Sequence, residues 1–162
     1  YPYLQEAGEG LYRRSLYTIW KRTSPPPSMT IFDVGERGVC TVKRKETSTP
    51  LQALVLLNDP QYIEGCRVLA ERILIEKKDI HQQLETAFRS AIGRSPTDSE
   101  TKILKEFYVQ EKEKFVNRKE DALAYVSTGS SLPSSEINRS EIAALTTVIN
   151  GIINTSDGFT IR

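Results

Sequence analysis

From residue 49 onward the apolar positions recur three and four residues apart, the period of an amphipathic helix. Thr49 precedes Pro50 and stands three residues before Gln52, which reads as a capping box with proline at the first helical position. That helix carries Leu51, Leu54, Val55 and Leu57 and should end near Asn58. Asp59-Pro60 repeats the cap-plus-proline device and opens a second helix, with a stripe of Tyr62, Cys66, Leu69, Ala70 and Ile73. A third helix holds Ile80, Leu84, Ala87, Phe88 and Ala91 and stops at Gly93. Thr97 and Glu100 form another capping box. They open a long helix with Ile103, Leu104, Phe107, Tyr108 and Phe115, interrupted by Glu111-Lys112-Glu113-Lys114, which reads as a solvated face. Ala122, Leu123 and Val126 mark a shorter helix, and residues 127–137 predict a flexible Ser-rich loop. Asn138 caps the last helix, which buries Ala144, Leu145, Val148, Ile149, Ile152 and Ile153. The apolar period runs straight through Asn150-Gly151, so the helix should continue there at a cost of about 1 kcal/mol for glycine.

The first 48 residues follow a different pattern. Residues 1–11 read as an irregular leading segment. Arg13 to Arg22 is rich in β-branched and aromatic residues, which favours a strand, although Leu16, Ile19 and Trp20 also fit a helix. Pro25-Pro26-Pro27 stops any regular element. A turn at Gly35-Glu36-Arg37-Gly38 leads to a short strand over Val39 to Lys43. The two strands would pair as a ribbon within residues 13–48, and a lone ribbon needs helices beneath it. The predicted fold is mainly α. It is a compact bundle of five or six helices with a small N-terminal β-ribbon or extended arm, within a single domain over residues 1–162.

Composition removes several chemistries. The chain has 162 residues, one histidine and two cysteines. It lacks the C-x-x-C-H of a haem attachment site, and His81, Cys40 and Cys66 are too few and too far apart for a zinc site. There is no G-x-G-x-x-G, P-loop or G-x-S-x-G motif. A histidine-based catalytic site would have to use His81, which reads as a surface residue at a helix start. The cysteines could pair if the protein is exported and would stay thiols in a reducing compartment. No apolar run approaches about 20 residues, so no membrane span is expected. We therefore expect no catalytic residue, no metal site and no cofactor bound by this chain.

Charge is uneven. Residues 1–50 carry 8 basic and 5 acidic side chains, and residues 51–100 carry 6 and 8. The first stretch also holds Tyr1, Tyr3, Tyr12, Tyr17 and Trp20. Basic residues among aromatics can bind single-stranded nucleic acid, but a whole-chain charge of +1 lacks the electrostatic footprint, so no nucleic-acid partner is expected. The same aromatics could stack on sugar rings or pack internally.

One stretch is more specific. The run from Arg13 to Gln61, with RRSLYTIWKRT, then PPP, then FD, then VCTVKRKETSTPLQALVLLND, resembles the C-terminal domain of unknown function of the planctomycete cytochrome C family. The later GRSPTDSE and INGIINTSDGF are similar to weaker motifs of that family. The chain departs from the pattern at Asn154 to Phe159, where the spacing is longer and Gly158 precedes the phenylalanine. The resemblance implies a setting rather than a reaction. Such domains close large exported bacterial proteins, so a periplasmic or otherwise exported location is expected. The partners implied are upstream domains of the same polypeptide, and any haem belongs to one of those domains.

Within the matching run the polar residues are Arg14, Lys21, Arg22, Asp33, Arg44, Thr49, Gln52, Asn58 and Asp59. As a ligand site, Arg14, Trp20, Arg22, Asp33 and Arg44 would face an acidic or sugar-like molecule. As structure, Asp33 would pair with Arg14 or Arg44, while Thr49, Gln52 and Asp59, like Thr97, Glu100 and Asn138 further on, would cap helices. The first expectation is a non-catalytic structural or interaction module, marked by an apolar or aromatic patch in residues 1–35. The alternative is a carbohydrate-binding part of an extracytoplasmic polysaccharide-active enzyme.

Overall fold

Most of the longer helices start at side chains that satisfy the first orphan amides. The computed structural model describes residues 8–21, 23–35, 40, 42–43 and 47–159. Its contacts divide the chain into two units, Tyr1–Val55 and Leu56–Arg162.

In the first unit, Gly8–Tyr12 and Ser15–Tyr17 form short 3-10 turns, followed by α1 (Pro27–Ile31). No strand occurs among the described residues, so the ribbon reading does not hold there. Residues 13–21, read as a strand, instead close local bonds from Tyr17 N to Arg14 O at 2.9 Å and from Thr18 N to Ser15 O at 3.2 Å. β-branched and aromatic residues favour a strand only where a partner strand offers packing, and local turns win without one. Of the second predicted strand, Cys40, Val42 and Lys43 are described and are not in a strand; Val39 and Thr41 lie outside the described residues. So do Glu36, Arg37 and Gly38 of the predicted turn.

The helix α2 (Pro50–Asn58) begins where the Thr49 box places it. Thr49 N donates to Gln52 Oε1 at 2.9 Å, and Gln52 N donates to Thr49 Oγ1 at 3.3 Å.

The second unit is helix on helix. It contains α3 (Pro60–Glu76), α4 (Ile80–Ile92), α5 (Asp98–Asn117), α6 (Lys119–Val126), α7 (Arg139–Ile153) and the short α8 (Ser156–Phe159). Asp59 caps α3, Asp79 caps α4, Thr97 and Glu100 form the capping box of α5, and Asn138 caps α7. Gly93 ends α4 in the left-handed region at φ 86°. The centre is α7, against which α3, α4, α5 and α6 all pack. Ile142, Leu145, Val148 and Ile149 on α7 are fully buried. A helix buried on most of its faces belongs in an interior, and each such apolar side chain contributes about 1.5–3 kcal/mol on burial. The helix does run through Asn150-Gly151. A Cβ at Gly151 would meet Phe107 at 3.5 Å, so the glycine leaves room beside that ring.

Three expectations about this unit are corrected. The buried face of α3 includes Ile63, Glu64, Arg67 and Leu74, while Tyr62 lies at the edge of exposure. Glu111 is not solvated: it is 8% exposed and pairs with Lys114. The loop after α6 is tied to α3 rather than free, as described next.

Candidate functional site

Within the first unit, Asp33, Thr47, Thr49 and Gln52 form a knot. Asp33 sits in the left-handed region at φ 57°, unusual for a residue with a side chain. Its Oδ2 accepts from Thr47 N at 2.8 Å and from Thr47 Oγ1 at 2.6 Å. Gln52, only 3% exposed, donates from Nε2 to Ile31 O at 2.9 Å and to Thr47 Oγ1 at 3.2 Å. Asp33, Thr47, Thr49 and Gln52 are thus brought together, and buried amide groups of this kind are held by satisfied bonds. Thr47 was not marked by sequence reasoning, because an isolated Thr before a capping box carries no distinguishing signal. Arg14 is exposed and Trp20 is half-buried. Arg22 and Arg44 lie outside the described residues.

Two further constellations occur in the second unit. The first joins the two weaker motifs. Arg94 donates to both carboxylate oxygens of Glu100, at 2.9 and 2.7 Å, and to Asp157 Oδ2 at 3.1 Å. Its guanidinium also lies 4.9 Å from the centre of the Phe88 ring. Glu100 additionally accepts from Thr97 N at 2.7 Å, so one carboxylate serves the helix cap and the ion pair together. The Arg94 guanidinium, helped by the Thr97 amide, holds the Glu100 carboxyl down at about 2. Arg94 is correspondingly raised by its bonds to Glu100 and Asp157. These charges rim a groove of about 430 Å³ floored by Phe88, Leu104, Phe107 and Ile152. Gly158, the departure noted in the motif, has a local cause: a Cβ there would collide with the Ile152 and Ile153 carbonyl oxygens.

The second constellation is a buried clamp. Glu64 accepts from Ser130 N at 3.0 Å and from Ser131 N at 2.7 Å. Arg67, with no exposed surface, donates to Glu71 Oε1 at 2.7 Å and to Ser131 O at 3.0 Å. Glu71 also accepts from Ser134 N at 3.1 Å. Gly129, at φ 106°, passes so close that a Cβ would sit 2.5 Å from Glu64 Oε2. The loop 127–137 is therefore fastened to α3 by charge-assisted hydrogen bonds. Sequence reasoning missed Glu64, Arg67 and Glu71; their one available signal was that they fall at helical spacing beside the apolar stripe.

Chemically, the groove suits binding better than proton transfer. A carboxyl held near 2 remains ionised at neutral pH and gives no general acid. An apolar floor with a paired, charged rim instead offers shape and orientation to a partner surface. His81 is exposed at the start of α4, and the Cys66 thiol is buried and pushed up to about 12 by desolvation. Cys40 and Cys66 are both free. Among the described residues no group of His, Cys, Asp and Glu could hold a metal ion. No described helix is long and apolar enough to cross a membrane.

No curated protein and no solved structure matches the chain. A family model with the description PSD1, protein of unknown function (DUF1553), matches residues 1–108, a span that contains the Asp33 knot, the clamp residues of α3 and the Arg94–Glu100 pair. The match covers most of the chain, which belongs to the PSD1 (DUF1553) family of proteins of unknown function.

Proposed function

We propose that this chain is a non-catalytic structural and interaction module of an exported, cytochrome-c-associated bacterial protein. In this reading it docks on upstream domains of its own polypeptide, and any haem is carried by those domains. The observation that carries the reading is the exposure of large apolar side chains inside the family-matched stretch. Tyr12, Leu16, Tyr17 and Ile19 are 58%, 73%, 64% and 80% exposed. Apolar surface concentrated between Tyr12 and Ile19 suits a partner that covers it. The Asp33 knot supports the same reading, because the carboxylate that a ligand would need already receives two hydrogen bonds from Thr47.

The test is limited proteolysis of the full-length protein carrying Leu16→Asp with Ile19→Asp. If the segment docks, cleavage upstream accelerates while the helical unit melts as in the wild type. Unchanged cleavage of a folded double variant overturns the reading. A thermal-shift panel of glycans separates it from carbohydrate binding. A sugar at 100 times its dissociation constant adds about 2.7 kcal/mol. A reproducible shift with one sugar class would replace docking with ligand binding.

A further inference from the structure

A second cavity in the helical unit shares no lining residue with the Arg94 groove and encloses about 480 Å³. The last turn of α3, the start of α4, the middle of α5 and the first turn of α7 all contribute to it. Lys77, Lys78 and Lys112 line it, against Glu136 and Glu141. Lys112 donates to Glu141 Oε1 at 2.7 Å, which leaves Lys77 and Lys78 against Glu136, an excess of one positive charge. Gln83 Nε2 donates to Lys77 O at 2.9 Å and so fixes the α3–α4 connection that carries both lysines.

Tyr108 supplies the cavity with a neutral donor. Its side chain belongs to the core and is 4% exposed, yet it lines this cavity and its hydroxyl makes no hydrogen bond to any described residue. The hydroxyl oxygen itself is not fully buried: it meets the open space of the cavity, where it is free to donate to a ligand. Lys112 and Glu141 line the cavity alongside Tyr108. The first turn of the 15-residue α7 faces the same space through Asn138 and Glu141 and favours negative charge there.

We propose that this cavity binds the oxyanion group of a small molecule, a carboxylate or a phosphate. In the bound state Lys77 and Lys78 neutralise the anion and the Tyr108 hydroxyl donates to it. The Lys112–Glu141 pair holds one wall in place. The apolar wall, formed by Leu74, Ile80 and Ile137, accommodates the carbon skeleton of the ligand. This reading is independent of docking through residues 12–19.

The test is titration of the 162-residue chain by amide NMR with sodium phosphate and, separately, sodium acetate, at constant ionic strength set by sodium chloride. Saturable shifts confined to the residues around Lys77, Tyr108 and Asn138 are expected, with the better anion naming the ligand class. Tyr108→Phe should weaken binding about fivefold at an unchanged Tm, since the hydroxyl has no protein partner to lose. Lys77→Gln with Lys78→Gln should weaken it about tenfold or more. Absence of saturation with both anions up to about 50 mM overturns the proposal. So does binding at wild-type strength in both variants.

Discussion

Arg94 and Asp157 are 63 positions apart in sequence and 3.1 Å apart in the fold. Their ion pair ties the segment after α4 to the start of α8, and the bidentate Arg94–Glu100 contact ties the same guanidinium to the first turn of α5. One side chain therefore joins three helix ends at the rim of the apolar groove.

That joint is partly solvent-exposed, so its energy is modest. Arg94→Ala should lower Tm by only a few degrees. A double-mutant cycle of Arg94→Ala and Asp157→Asn, followed by urea unfolding, should return a small favourable coupling. Strict additivity would show that the 3.1 Å contact contributes nothing in solution.

Glu100 gives this joint a pH dependence. Its folded value of about 2 lies below the ordinary carboxyl value of about 4.3. A depressed carboxyl contributes stability that is fully present above the unfolded value and is lost as pH falls through the folded one. The Tm advantage of the wild type over Glu100→Gln should be constant from neutral pH to about 5 and shrink between about 4.3 and 2. Calorimetric scans across that range check it, and a constant difference down to about pH 2 contradicts the assignment.

Two glycines should respond with opposite signs. Gly129→Ala forces a side chain into the left-handed region and against the Glu64 carboxylate, so a loss of about 2–3 kcal/mol is expected. Gly151→Ala places a methyl at ordinary contact distance from Phe107 inside a helix and should gain about 0.5–1 kcal/mol. Chemical denaturation of the two variants decides both.

The thiols should differ in reactivity. Cys40 is exposed, whereas Cys66 is 3% exposed and its thiol is held at about 12 by burial. Titration with a thiol reagent at about pH 8 should modify one equivalent in the native state and a second only on addition of denaturant. Two fast equivalents in native buffer would show that Cys66 is accessible.

Much of the helical architecture was legible because its signals are local. Pro50, Pro60 and Gly93 act within one turn, and so do the Thr97–Glu100 and Thr49–Gln52 pairs. Residues whose role depends on distant partners were not legible. Glu64 and Arg67 look like surface charges on a helix until the loop at Ser130 and Ser131 closes over them. Tyr108 fits the apolar stripe of α5, and nothing in its spacing reveals that its hydroxyl opens into a cavity. The segment 13–21 was misread because strand propensity reports packing that only a neighbouring strand supplies. Of the polar residues in the matched run, Asp33 and Gln52 were recognisable as important, but their common partner Thr47 was not.

The clamp on the Ser-rich loop also sets a clock. The amides of Ser130, Ser131 and Ser134 are bonded to carboxylates rooted in α3, two of them to a side chain almost without solvent exposure. Their protons exchange only when those bonds break, and that happens when the loop lifts off α3. A segment whose composition suggests sub-microsecond wandering should therefore exchange with deuterated water more slowly than an untethered loop. Those three serines then report the detachment of the loop from α3.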